Sequence, residues 1–235
     1  MDSTASATPP VALPASNEIV LRTPSKYATS GSASAGASSS PADFAAPPRD
    51  WLMRTWSVTH STLSMWRSAQ NVRISYRPLP DDASGRPRNE DHVQYESNKP
   101  SGAGPKKVKS VQGVNVGGTC ASADSNSSKS DGTFDWRGKG WLFFVTSHWE
   151  ILGWGERPLA GGEPGEVERW AVTWFAPTLF TKEGIDIYSD RQSGLSADLA
   201  AAVQTAMTTT AQWPAPLAAL AKDLEPVDIR LPWLE

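Results

Sequence analysis

The sequence contains very few of the residues that form disulfides and metal centres. Among its 235 residues there are one cysteine, Cys120, and three histidines. A single cysteine cannot form an internal disulfide and fits a reducing compartment, which favours a cytoplasmic location. Too few nitrogen and sulfur ligands are present for the usual zinc site. We therefore expect no metal and no cofactor, with haem held by one histidine as a minor alternative.

The motifs of common nucleotide-binding and hydrolytic enzymes are also missing: no glycine-rich phosphate loop, G-x-S-x-G, H-E-x-x-H, C-x-x-C or dinucleotide fingerprint occurs. No apolar run approaches the ~20 residues that a membrane helix requires. A net charge of −3 and a pI of about 5.7 argue against a nucleic-acid partner. The start of the chain does not have the pattern of a signal peptide. An apolar small molecule is the partner that these absences leave open.

Residues 1–47 lack tryptophan and are rich in serine, alanine and proline. Such a composition buries too little apolar surface to offset chain entropy, and it predicts a disordered tail. The stretch from Ile19 to Leu21 is apolar and could dock on the domain, as a minority alternative. On this interpretation residues 48–235 form the folded domain, and deleting residues 1–46 is expected to leave the fold intact.

Tryptophan is abundant after this tail: the chain has 11, and none precedes Trp51. Several lie in segments that alternate apolar and polar residues. Alternation with period two is typical of strands with one buried face, and it predicts that Val72, Ile74 and Tyr76 face inward. Further strands are predicted at 55–62, 92–97, 108–116, 141–154, 170–175 and 185–188.

The end of the chain changes to a helical period. Ser196 can cap a helix with one apolar face through Met207, and a second short helix is predicted near Leu217 to Leu224. Strands followed by helices predict a mainly β domain. Regular antiparallel strands rich in aromatics favour a lipocalin-like barrel of about eight to ten strands. The helices, at about 195–225, would cover its side or plug one end.

Three segments carry a resemblance to a known family: VTHSTLSMW, WRGKGWLFFVTSHWEILGWG and FAPTLFTKEGIDIYS. Over residues 50–195 the chain resembles fungal lipocalin-like (calycin) proteins of unassigned activity. Trp56 stands where calycins place the tryptophan of a Gly-x-Trp strand, although Arg54 occupies the glycine position. The resemblance implies a barrel with an internal cavity. Some fungal lipocalin-like proteins are cofactor-free cyclases acting on polyketide or terpenoid intermediates.

A ligand cavity in such a barrel would have aromatic walls and a few polar groups. Each buried indole covers roughly 150–250 Å², so several of them could surround a bulky apolar ligand. The alternative is that these rings are ordinary core anchors. Six aromatic residues are the candidates for substrate binding: Trp56, Tyr95, Trp141, Trp149, Trp170 and Trp174.

His60 is the first candidate for chemistry. If Trp56 faces inward, period two places His60 inward as well, near Tyr76. Its imidazole could then transfer a proton near neutral pH, and Tyr76 could donate a hydrogen bond to a carbonyl or a developing oxyanion. The alternative is a core histidine bonded to a backbone carbonyl or a tyrosine hydroxyl.

His148 and Glu150 form a second candidate pair, because residues two apart on a strand share a face. If they face inward, a glutamate whose pKa is raised by desolvation could act as the base, with His148 as its partner. If they face outward, they are a surface pair, and the apolar character of both faces leaves the choice open. Asp186, between Ile185 and Ile187, fits a solvent-facing residue better.

These features favour a cofactor-free cyclase or isomerase that holds a hydrophobic natural-product intermediate in the barrel. A non-catalytic carrier of an apolar small molecule and a structural module without a cavity are the alternatives. Polar groups that converge inside a cavity would distinguish the first from the second. The ligand, the reaction and the oligomeric state are not determined by the sequence.

Overall fold

The computed structural model describes residues 19–28, 44–98, 107–120, 129–209 and 213–234. A helical turn, α1 (Arg49–Leu52), precedes the strands, and two helices, α2 (Ala197–Thr209) and α3 (Ala215–Lys222), follow them. Short 3₁₀ turns lie at Ser25–Tyr27, Ser64–Ser68 and Gly140–Leu142. The strands are β1 (Thr55–Ser61), β2 (Ala69–Leu79), β3 (Arg88–Ser97), β4 (Val108–Cys120), β5 (Lys129–Gly138), β6 (Thr146–Pro158), β7 (Val167–Phe175), β8 (Gly184–Ser189) and β9 (Glu225–Pro226).

Strands β1 to β8 close into an antiparallel barrel. Each strand pairs with the next, and β1 also pairs with β8. The short β9 adds to β1 outside the barrel. Closure pairs the edges that an open sheet would leave exposed. The mainly β barrel with C-terminal helices that the sequence predicted is therefore confirmed.

The barrel interior contains the first of two apolar cores. Val72, Ile74 and Tyr76 all belong to it, as the alternation in β2 predicted. Trp56 and Val58 from β1 join them and are fully buried. Period-two patterning thus places the inner wall correctly wherever the strands are regular.

The second core lies between the outer wall and the two C-terminal helices. Leu199, Val203 and Met207 form the buried stripe of α2, and Leu217 and Ala221 form that of α3. They pack against outward side chains of β6, β7 and β8. The helices therefore cover the side of the barrel instead of plugging its end.

Residues 19–28 also lie against this outer wall. The backbone N–H of Arg22 donates to Leu152 O at 2.8 Å, and Leu21 is only 5 % exposed. A Cβ at Gly153 would come within 2.4 Å of the Leu21 side chain, so glycine permits this approach. The prediction of disorder throughout 1–47 does not hold for these residues. Ile19 to Leu21 dock, and residues 1–18 and 29–43 lie outside the described residues.

Deleting residues 1–28 is expected to lower the free energy of unfolding by about 2–4 kcal/mol, or roughly 5–15 °C in Tm. Burial of Leu21 alone contributes about 1.5–3 kcal/mol, and the entropy of ordering the segment offsets part of the gain from docking. Urea and thermal unfolding measure the difference. Deletion of residues 1–18 is the matched control and should change stability by less than ~0.5 kcal/mol. Equal stability of both truncated proteins would show that docking contributes nothing.

Candidate functional site

A cavity of about 520 Å³ lies inside the barrel. This volume falls in the range of about 300–1,000 Å³ typical of small-molecule sites. Its mouth is formed by the turns Ser64–Ser68 and Gly140–Leu142 and by the loop after β7. Trp141 (73 % exposed) and Phe180 (62 % exposed) project at this mouth and contact each other edge to face. The cavity therefore opens to solvent through an apolar rim.

Nine of the 22 residues that line the cavity are aromatic. Tyr76 stacks on Trp149 with 5.7 Å between ring centroids, and Trp149 stacks on Phe134 at 4.2 Å. Tyr95 contacts Trp66 edge to face at 5.1 Å. Stacked and edge-to-face pairs of this kind hold rings in fixed positions, so the wall is preorganised for a flat apolar molecule.

A glycine shapes this wall. At Gly113, on the inner face of β4, a Cβ would come within 2.1 Å of the Trp136 indole nitrogen. The missing side chain therefore lets the Trp136 ring lie across the strand and line the cavity.

Asp91 is a buried carboxyl at the inner wall of the cavity. It stands opposite Tyr76 in the β2–β3 pairing and is 7 % exposed. Its Oδ2 accepts a hydrogen bond from Asn115 at 3.3 Å, and its Oδ1 has no partner among the described residues. Burial raises the pKa of Asp91 to about 7, and the Asn115 hydrogen bond counters this only in part.

Asp186, on β8, is the second carboxyl of the cavity and is 5 % exposed. Ser61 donates a hydrogen bond to its Oδ1. Burial raises the pKa of Asp186 to about 7 despite Ser61 and the charge of Arg67. Near neutral pH both carboxyls are thus close to half protonation, a state suited to proton transfer in either direction.

Two tyrosine hydroxyls lie near these carboxyls. Tyr76 and Tyr188 interact with each other, and burial raises the pKa of each well above its usual value. Both therefore stay neutral and keep a proton that can be donated as a hydrogen bond. Strands β8, β1, β2 and β3 are neighbours in the barrel, which brings these hydroxyls and carboxyls to one side of the cavity.

His60 does not face this cavity, and its predicted inward orientation is wrong. A β-bulge between Val58 and His60 shifts the β1–β8 pairing by one residue, which reverses the faces of the residues that follow. Ser61 points inward, whereas Gln204 of α2 donates a hydrogen bond to His60 Nε2 at 3.2 Å. Burial lowers the pKa of His60 below its usual 6.5. The imidazole belongs to the contact between barrel and helix.

His148 and Glu150 also lie on the outer wall, which resolves the open choice of face. Glu150 is fully buried beneath residues 19–28 and lies 3.1 Å from the Arg22 guanidinium. Burial raises its pKa, but His148, Arg22 and Ser25 together hold the net value below 4.5. The hydrogen bond with Glu150, aided by Asp135, raises the pKa of His148 to about 8 despite partial burial. This network holds the N-terminal segment.

The predicted substrate-binding aromatics divide between the two cores. Tyr95, Trp141 and Trp149 line the cavity, as does Tyr76. Trp56 is fully buried but belongs to the packed part of the inner core, where its indole N–H donates to Leu52 O at 3.0 Å. Trp170 and Trp174 lie in the outer core and do not face the cavity.

Asp91 and Asp186 were missed as candidates. Period two from Val93 and Tyr95 places Asp91 inward, and the same rule from Tyr188 places Asp186 inward. Ile185 and Ile187, the neighbours of Asp186, are buried in the apolar outer core and not in the barrel interior. Their apolar character predicts that they mark the inner face of the strand, which places Asp186 on the wrong face. The solvent-facing position expected for Asp186 is therefore wrong.

A second groove, of about 780 Å³, crosses the outer faces of β4, β5 and β6. Its charged side chains are mostly exposed, and several already pair with acids. Lys139 lies 2.8 Å from Glu90, and His148 lies 2.9 Å from Asp135. We therefore place the candidate site in the barrel interior, where polar atoms are desolvated.

No family model and no curated protein match the chain. The closed barrel fits a calycin-like fold. A fold of this kind is compatible with many functions, and only the chemistry of the cavity can indicate which one this protein has. Among the described residues, no helix is long and apolar enough to span a membrane, and no cluster of three or more potential ligand side chains could hold a metal ion.

Proposed function

We propose that the protein is a cofactor-free isomerase or cyclase acting on an apolar small molecule inside the barrel. One observation carries the proposal: an aromatic cavity of about 520 Å³ has two buried carboxyls, Asp91 and Asp186, in its wall. A carrier needs the aromatic surface but not desolvated acids, because burying them costs free energy unless they are used.

The chemistry follows from the protonation states. One carboxyl accepts a proton from a carbon or hydroxyl of the substrate, and the other returns a proton elsewhere on the same molecule. Tyr76 and Tyr188 are hydrogen-bonded to each other, and the hydroxyl whose proton is not used in that bond donates to the oxygen on which negative charge develops. The aromatic walls hold the substrate in the reactive conformation. The product has the same mass as the substrate, and proton exchange with solvent through the open mouth restores the two carboxyls to their starting states.

The fungal lipocalin-like family is part of this proposal, and so is a natural-product intermediate as the substrate. The three sequence segments that carry the resemblance support it: each of them contributes to the cavity wall or its rim, through Trp66, Trp149 and Phe180 respectively. The single cysteine supports a cytoplasmic site of action.

Native mass spectrometry of protein purified from its own host tests the proposal. A retained small molecule is released, identified and returned to ligand-free protein. A catalyst converts it into a compound of unchanged mass but different chromatographic retention. Recovery of the compound unchanged would overturn the enzyme proposal and favour the carrier.

Filling the cavity is expected to abolish binding of an apolar probe. Val111 lines the cavity, and Val114 lies on the outer face of the same strand. Val111→Trp should weaken binding of naphthylethanol at least about tenfold, because the new ring occupies the ligand volume. Val114→Trp is the matched control and should bind as the unaltered protein does. Calorimetric titration measures both, and equal binding by the two variants would place the probe outside the barrel.

A further inference from the structure

The charges around the cavity are all of one sign. Among the described residues that line it, Asp91 and Asp186 are the charged side chains, and no lysine, arginine or histidine is present there. Arg67, whose charge acts on Asp186, does not line the cavity: its Nε lies 2.6 Å from Glu225, and it donates to Ser61 O at 2.7 Å. The described cavity lining therefore holds two acids and no cation.

Asp91 supplies a second, independent observation. Its Oδ1 is buried at the cavity wall and has no hydrogen-bond partner in the described part of the chain. Buried polar oxygens are nearly always paired, and each exception requires an explanation. A cation bound against the Asp91 carboxylate would offset this deficit through its charge.

The surrounding rings favour a cationic donor. Tyr76, Trp149 and Tyr95 present π faces or edges to the same cavity. A cation over such a face is stabilised by the ring quadrupole, most strongly when it is desolvated. Aromatic walls and buried acids together are complementary to an ammonium group on an apolar body, and they disfavour a carboxylate.

We propose that the substrate is an apolar molecule carrying one protonated amine, whose ammonium group pairs with the carboxylate of Asp91 at the cavity wall. The inference rests on the proposed function, since it names the substrate class of the same cavity. Asp91 is then the ionised carboxyl that accepts a proton from the substrate, and Asp186 is the carboxyl that returns one.

Binding of such a cation has a protonation signature. Below about pH 7 Asp91 is largely protonated and must lose its proton to pair with an ammonium. The groups that act on the two carboxyls are Tyr76 and Tyr188, which stay neutral, and the guanidinium of Arg67, whose charge lowers the pKa of Asp186. We therefore expect close to one proton released per amine bound at about pH 6.

Calorimetric titration with naphthylethylamine, naphthylethanol and naphthylacetate tests this. At about pH 7.5 the amine should bind roughly 10–100 times more tightly than the alcohol, and the acid should not bind. Titrations in buffers of different ionisation enthalpy measure the proton released. Asp91→Asn should remove the preference for the amine, whereas Asp135→Asn, an exposed acid on the outer wall, should retain it.

The outcomes separate this inference from the proposed function. Equal binding of amine and alcohol without proton release would overturn the amine proposal and leave the apolar cavity in place. Failure of all three probes to bind would overturn both. The proton measurement uses the unaltered protein, so the test stands even if Asp91→Asn does not fold.

Discussion

Replacing Asp91 with asparagine is expected to lower turnover of the host-derived substrate by about 10²–10⁴, the usual contribution of one general acid or base. Asparagine retains the shape and can still accept a hydrogen bond from Asn115, but it cannot exchange a proton. Affinity for the neutral probe naphthylethanol should change little. Steady-state kinetics and calorimetry measure the two quantities separately.

His60→Gln is the matched control for this variant. His60 pairs with Gln204 outside the cavity, so a neutral amide there should leave turnover within about twofold of the unaltered protein. If His60→Gln lost most of its turnover while Asp91→Asn kept full activity, His60 would be the catalytic residue. That result would contradict the proposed site.

The same aspartate should make stability depend on pH. The pKa of Asp91 is 3.8 in the unfolded chain and about 7 in the folded protein. Between these two pH values the folded protein binds more protons than the unfolded chain does. The free energy of unfolding therefore falls as the pH rises from about 4 to 7. For one buried group the loss amounts to roughly 4 kcal/mol. Asp91→Asn should flatten this part of the curve in urea unfolding, and an unchanged curve would show that the carboxyl is ionised at low pH.

Trp174→Ala is expected to lower the free energy of unfolding by about 3–5 kcal/mol. Trp174 is 1 % exposed in the outer core, and its indole N–H donates to Glu183 at 2.8 Å. Because the ring faces away from the cavity, the affinity for naphthylethanol should stay within about twofold. Thermal unfolding and calorimetry provide the two measurements.

Trp149→Ala is the companion variant. Trp149 is buried to a similar degree, so its loss of stability should be comparable, about 3–5 kcal/mol. Unlike Trp174, it lines the cavity, and binding of naphthylethanol should weaken about tenfold or more. If Trp174→Ala weakened binding as strongly while the protein stayed folded, the division into inner and outer cores would be wrong.

A β-bulge was the first source of error in the orientations predicted from the sequence. Period-two alternation in β2 and β3 correctly oriented Ile74, Tyr76, Val93 and Tyr95. At His60 the same rule failed because of a bulge, which inserts one residue and leaves no mark in the apolar pattern. The rule that alternate residues share a face holds only as far as the next irregularity in the strand.

The apolar outer core was the second source of error. A strand that is packed on both faces has no polar side. The pattern in segment 141–154 therefore did not show which face was interior. In β8, the apolar Ile185 and Ile187 face the outer core, and this led to the wrong prediction that Asp186 is exposed to solvent. Recognition of the outer core requires knowing that α2, α3 and residues 19–28 cover that wall. The contacts of residues 19–28 join parts of the chain more than a hundred residues apart, and no local pattern records them.

The sequence by itself determined the fold class, most of the strands and the amphipathic faces of the helices, because these depend on local periodicity and on burial of one face. Only the tertiary structure decided which tryptophans enclose a cavity and which are packed, where His60 points, and that Asp91 and Asp186 lie buried beside Tyr76 and Tyr188. The physical reason is that desolvation depends on everything that surrounds a side chain. The protonation states on which the proposed chemistry rests therefore exist only once the barrel has closed.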